Sequence, residues 1–362
     1  MKALRYYGPH DVRLDNDVNE PRITSPNDVL ICPQWCGICG TDLHEFLDGP
    51  IFCPVEPHPL THETVPVVMG HEFSGIVKAV GSSVSSVKPG DHVCVEATIR
   101  CNTDCPQCRE GRTNCCSHGG FFGLSGWGGG LSELVVVPSE QVFKLPDDLP
   151  LEAGALVEPL SVAWHAVRLS GFKAGQTALV LGSGPIGIAT ILVLQAHDAA
   201  KIIVSEPAEI RRKQSAQFGV YALLNPQVDD VVAKTREMTG GEGVDVSYDC
   251  SGVQATFTTG LHAVKSGGIA FNIAIWGKPC KYHPNECLLM EKKIMGSIGY
   301  TGQDFADVIK AFEQGKIRNF EKMITAKLPI AETVSGGFSR LIHHKDDHIK
   351  IICTPHPELL QL

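Results

Sequence analysis

The chain has 362 residues, 43% of them hydrophobic and 20% charged, enough apolar side chains for two domains with full cores. A net charge of -9 argues against nucleic acid or an anionic membrane as a partner, and no apolar run is long enough to span a bilayer. The start, Met1-Lys2-Ala3-Leu4-Arg5, reads into a strand without an apolar signal core, so the expected location is cytoplasmic. In that setting the 14 cysteines favour metal binding over disulfides.

Up to about residue 158 the chain is rich in β-branched residues, Gly and Pro. Segments 28–32, 75–80 and 92–95 read as strands bounded by turns, which predicts a mainly β, barrel-like region carrying loops. Cys39 closes the run Cys36-Gly37-Ile38-Cys39, with Thr41 two residues later and His44 beyond it. Gly70-His71-Glu72 follows, and Glu158 lies in Leu156-Val157-Glu158-Pro159-Leu160. Cys39, His71 and an acid, Glu72 or Glu158, offer a thiolate, an imidazole and a carboxylate. A catalytic zinc takes three protein ligands and keeps one position open for substrate. Between these segments Cys101, Cys105, Cys108, Cys115 and Cys116 crowd into sixteen residues. Four thiolates without an open position make a structural zinc site. Cys101, Cys105 and Cys108 supply three, and Cys115 competes with Cys116 for the fourth.

From residue 159 the pattern changes. Apolar strands at 178–181, 201–204, 220–224, 244–248, 269–275 and 293–298 alternate with helical stretches such as 186–194, which predicts an α/β, doubly wound parallel sheet. The run Gly182-Ser183-Gly184-Pro185-Ile186-Gly187 joins the first of these strands to its helix. Gly182 permits the tight turn, Gly184 the approach of backbone to a pyrophosphate, and Gly187 close packing of helix on strand. Glu206 ends the next strand, placed to accept from the adenosine ribose hydroxyls. A carboxylate there repels a 2′-phosphate and favours NAD over NADP. Arg211, which we count with the cofactor site, and Arg212 read otherwise as charges on a solvated helix face. A helix at 305–314 and a closing strand at 349–353 are expected to return to the first domain. The domains expected are therefore 1–158 with 300–362, and 159–299. Pairing of the edge strand 293–298 between subunits predicts a homodimer or homotetramer.

Together these motifs resemble the zinc-containing medium-chain dehydrogenase/reductase superfamily across essentially the whole chain. The resemblance implies a GroES-like barrel domain beside a Rossmann domain, and NAD plus two zinc ions per chain. It implies a catalytic zinc held by Cys39, His71 and Glu158, with Glu72 beside the metal or as an exchangeable ligand. It also implies a structural zinc on Cys101, Cys105, Cys108 and Cys116. The Cys101–Cys105 gap is one residue longer than the superfamily's usual gap, and Thr41 stands where many relatives have Ser. Glu158 is similar to the sorbitol and butanediol dehydrogenase branch; alcohol dehydrogenases usually have Cys there. Segment 36–52, Leu156 to Val162 and Ala274-Ile275-Trp276 are similar to the butanediol dehydrogenases, whose substrates are small diols and hydroxyketones. The implied proton path runs from Thr41 by way of the nicotinamide ribose hydroxyl to His44. The apolar residues from Leu47 to Phe52 and Trp127 fit a small diol better than sorbitol or xylitol. A non-catalytic relative would be expected to lack part of this set, and all of it is present.

Overall fold

The computed structural model describes residues 1–361 as two compact units. Among the described residues the first comprises Met1–Glu158, Thr301–Ile309 and 324–361, the second Pro159–Tyr300 and Lys310–Met323. The expected return at 300–362 is thus divided. The segment 310–323 stays with the second unit because the turn Phe320–Met323 packs on helix Pro185–Ala196, with the Phe320 ring 5.1 Å from Phe312.

The first unit is built around the ten-residue strand Asp28–Gly37. Alternate apolar side chains such as Val29 and Ile31 enter a core shared with Phe73, Val93 and Ile351. Strand Glu72–Val80 pairs antiparallel along it, bringing Glu72 opposite Gly37. On its other side the closing strand Lys350–Thr354 pairs antiparallel, with Ile352 opposite Gly37. Three segments distant in sequence therefore end at one place: Gly37-Ile38-Cys39, Glu72 and Lys350. Gly37 is required there, since a Cβ would run into the Glu72 carboxylate.

In the second unit six parallel strands lie in the order Ala222–Leu224, Lys201–Ser205, Thr177–Leu181, Val244–Asp249, Val264–Asn272, Lys293–Gly296. The strand order reverses between Thr177–Leu181 and Val244–Asp249, the point at which such sheets bind ligands beyond their carboxyl ends. Leu179, Leu181, Ile203 and Val244 are fully buried, as continuous apolar strands of a parallel sheet should be. The fifth strand ends earlier than the expected 275. The Ile273 and Ala274 N–H groups turn to the Asp249 carbonyl, which takes the chain out of the ladder. The sixth strand likewise stops at Gly296, where the Ser297 N–H returns to the Asn272 carbonyl.

Candidate metal centres and cofactor site

Cys39 is the N-cap of helix Gly40–Asp48. Its N–H donates to Asp42 Oδ2 at 2.9 Å, and its sulfur accepts from the backbone of the same turn. A helix N-terminus favours negative charge, so this position suits a thiolate ligand. Cys39, His71 and Glu72 bring their ligand atoms within 4.8 Å of one another. Thr41 Oγ1 stands 3.6 Å from the Cys39 sulfur, and His44, on the same helix, is exposed. Glu158 is buried and lies outside that triplet, but its charge acts on both His71 and Lys350.

Two residues missed by sequence reasoning organise this centre. Lys350, only 2% exposed, donates to both Glu72 carboxylate oxygens at 2.7 Å and to the Ile38 carbonyl at 3.1 Å. A lone charge in the apolar run Ile349-Lys350-Ile351-Ile352 was the signal available. Asp42, fully buried, stands 3.6 Å from His71 Nδ1, an acid beside the imidazole ring. An acid beside a metal-binding histidine commonly orients its ring. Burial works against a charged His71, but Asp42, Cys39 and Glu158 outweigh it and raise the imidazole pKa well above its ordinary value. Burial likewise raises the Asp42 carboxyl. Several anionic groups thus converge on one buried imidazole, a donor set that fits a divalent cation.

The second cluster is equally explicit. Cys101, Cys105, Cys108 and Cys116 bring their sulfurs within 4.8 Å of one another, whereas Cys115 is exposed and outside the set. Sulfur separations of 3.5 Å (Cys101–Cys116), 3.8 Å (Cys101–Cys108) and 3.9 Å (Cys105–Cys116) match the roughly 3.8 Å edge of a tetrahedron with 2.3 Å zinc–sulfur bonds. The extra residue between Cys101 and Cys105 is absorbed at Asn102, which takes a left-handed conformation with φ of 61°. The Cys108 N–H bonds the Cys105 sulfur and lowers its pKa to about 5.

In the second unit Gly182 turns the chain with φ of 94° between strand Thr177–Leu181 and helix Pro185–Ala196. Gly184 is the N-cap, Pro185 opens the helix, Ile186 follows, and a Cβ at Gly187 would strike the Gly182 carbonyl. Buried Glu206 accepts from the Ser183 N–H at 2.8 Å and the Ala208 N–H at 2.9 Å, so the acid is held against the glycine turn. The Arg211 guanidinium lies over Gly184, 3.5 Å from where a Cβ would stand. Arg212 instead donates to the Glu206 carbonyl at 2.8 Å.

One expectation needs correction. Trp127 lies against Phe122, with ring centroids 5.8 Å apart, and lines a groove with Val18, Pro21 and Leu134. No member of the Cys39 triplet lines that groove. The aromatic ring facing His71 is Phe121, 6.5 Å away, and Phe52 packs edge-on against it at 5.6 Å. The left-handed backbone at Trp127, with φ of 59°, sends its ring elsewhere.

Residues 25–147 match the alcohol dehydrogenase GroES-like domain, and residues 185–314 match the zinc-binding dehydrogenase domain. The chain is 45% identical to the (R,R)-butanediol dehydrogenase of Saccharomyces cerevisiae, over 98% of each chain. It belongs to the zinc-containing medium-chain dehydrogenases. The crystal structure of 2R,3R-butanediol dehydrogenase from Bacillus subtilis superposes with a TM-score of 0.91 at 41% identity, covering 98% of this chain and 99% of that one. A probable D-xylulose reductase of Emericella nidulans is 33% identical over 88% of this chain and 87% of its own. This dehydrogenase therefore carries the GroES-like and Rossmann-type units expected, and its cofactors are zinc and a nicotinamide dinucleotide. Among the described residues no helix is long and apolar enough to cross a membrane.

Proposed function

We propose that this dehydrogenase interconverts (2R,3R)-2,3-butanediol and acetoin with NAD(H), in the cytoplasm. The observation that carries the reading is the small apolar wall beside a metal ligand, Phe52 on Phe121 and Phe121 on His71. The 45% identity to a butanediol dehydrogenase supports it, against 33% to a D-xylulose reductase.

Cys39, His71 and Glu158 are the ligands we assign, because Lys350 already engages both oxygens of Glu72. When bound, zinc acts as a Lewis acid that lowers the pKa of the substrate alcohol. Thr41 Oγ1, beside the Cys39 sulfur, takes the alcohol proton. The proton passes by way of the nicotinamide ribose hydroxyl to exposed His44, one turn along the helix, which exchanges it with solvent. The amides at the start of helix Pro185–Ala196 hold the cofactor phosphates, Arg211 adds positive charge there, and Glu206 receives the adenosine ribose.

The assembly we assign is a homodimer. Strand Lys293–Gly296 is one edge of the six-stranded sheet, and around it Leu288, Leu289, Met290, Ile294 and Ile298 are exposed. An apolar, unpaired edge invites pairing with its own copy.

An initial-rate panel tests the substrate: the butanediol stereoisomers, acetoin, sorbitol, xylitol and ethanol, each with NAD and NADP. The (2R,3R) isomer and acetoin with NAD(H) should give the highest kcat/KM. Neighbouring diols should still turn over, since one methylene in an apolar pocket is worth only about 10- to 200-fold. A higher kcat/KM for sorbitol or xylitol than for every butanediol isomer would replace this reading with a polyol dehydrogenase.

A further inference from the structure

Helix Gly40–Asp48 carries one buried carboxylate that the chemistry above leaves without a task. Glu45 is completely buried. Its oxygens accept from three successive backbone amides of the following loop. The Ile51 N–H lies at 3.0 and 3.2 Å from the two oxygens and the Cys53 N–H at 3.4 Å, with the Phe52 N–H between them. The loop is shaped to this group. Gly49 donates to the Glu45 carbonyl at 3.1 Å, and a Cβ on Gly49 would stand 2.8 Å from the Glu45 carboxylate. The buried charge is felt nearby: burial and Glu45 together push the Tyr6 hydroxyl up to about 12. Hydrogen bonds to an ionised acceptor are about twice as strong as neutral ones, so three of them define the loop backbone closely.

The middle amide of the three belongs to Phe52. Its carbonyl accepts from Ser125 Oγ at 3.2 Å, and its ring meets Phe121 edge-on at 5.6 Å, beside His71. We propose that Glu45 is a positioning residue for substrate selection: it ties loop 49–53 to the helix that begins at Cys39, and so fixes the Phe52–Phe121 wall at the distance that admits a small diol. This rests on the small-diol reading above. Glu45 acts through the loop and touches no reacting atom.

The test is Glu45→Gln in the zinc-loaded enzyme, with Phe52→Ala beside it. The amide side chain keeps one acceptor and turns an NH2 group toward loop amides, so the loop loosens. Hydrogen exchange over residues 49–53 should rise in Glu45→Gln, with zinc content and NADH binding retained. KM for 2,3-butanediol should rise about tenfold or more, the scale of a lost charged hydrogen bond, with a smaller change in kcat. The preference for butanediol over the next longer vicinal diol should shrink in both variants. Exchange at the wild-type level in Glu45→Gln, or raised exchange with unchanged KM and preference, overturns the proposal. If Glu45→Gln does not fold, Phe52→Ala decides: an unchanged diol preference overturns the proposal, and a reduced one supports it. A wild-type enzyme that prefers polyols would sink the small-diol reading. The exchange measurement would still report whether Glu45 ties the loop.

Discussion

At the scale of single residues, the centre is governed by how buried charges are answered. Lys350 and Glu72 are 2% and 1% exposed and meet at 2.7 Å. Such a pair adds little net stability, because desolvation offsets attraction, yet removing one partner strands a buried charge at a cost of about 3–5 kcal/mol. Burial opposes a charged Lys350, and Glu72 with Cys39 outweighs it, raising the ammonium pKa above its usual value. The lysine therefore stays charged across the neutral range, and its contribution to the pair is lost as pH climbs through that raised pKa. Lys350→Met should lower the unfolding midpoint strongly. Adding Glu72→Gln should recover part of the loss, since the stranded charge is then gone. Denaturant unfolding of the two variants checks this; a double variant no more stable than Lys350→Met would mean the pair is not coupled as drawn.

At the scale of elements, the two metal sets sit on different supports. The proposed catalytic set draws on a helix N-cap, Cys39, on His71 just before strand Glu72–Val80, and on Glu158 in the first turn of helix Val157–Leu169. The four-sulfur set belongs to one lobe with its own short helix, Pro106–Arg109. Each should load independently. Metal analysis of enzyme purified without chelator should give two zinc ions per chain, and Cys39→Ala should give one. That variant should lose turnover and still bind NADH by fluorescence titration, because the glycine turn belongs to another unit. A wild-type value of one zinc with full activity would refute the two-site assignment.

At the scale of the whole molecule, the proposed dimer rests on one edge of the six-stranded sheet, strand Lys293–Gly296. Ile294 lies on the edge strand and is 37% exposed, with Leu288 and Leu289 more than two-thirds exposed nearby. Two copies related by a two-fold axis would pair these edges and cover the apolar side chains in one closed contact. Ile294→Lys combined with Leu289→Lys should convert the proposed dimer to monomer in sedimentation velocity, because both charges would be buried without partners. A wild-type chain sedimenting as a monomer would remove the edge from consideration.

Much of this was legible in the chain itself. The glycine turn, the four-cysteine spacing and the strand–helix alternation are local patterns, set by steric needs and hydrophobic period over a few residues, so Gly182 and Cys105 declare themselves without a fold, whereas the choice of Cys116 over Cys115 waited for the packed lobe. Even the long Cys101–Cys105 gap needed only one left-handed residue, Asn102. What the sequence could not decide depends on register and on segments that meet from afar. Lys350 reaches Glu72 across 278 residues because two strands pair with opposite sides of Asp28–Gly37. Trp127 and Phe121 are both apolar aromatics a few residues apart, and only the backbone path settles which of them faces His71. Glu45 reads as an ordinary helix acid until the fold seals it and leaves three loop amides as its partners. Burial is a property of the packed molecule, and it turned these charges from surface decoration into constraints on the site.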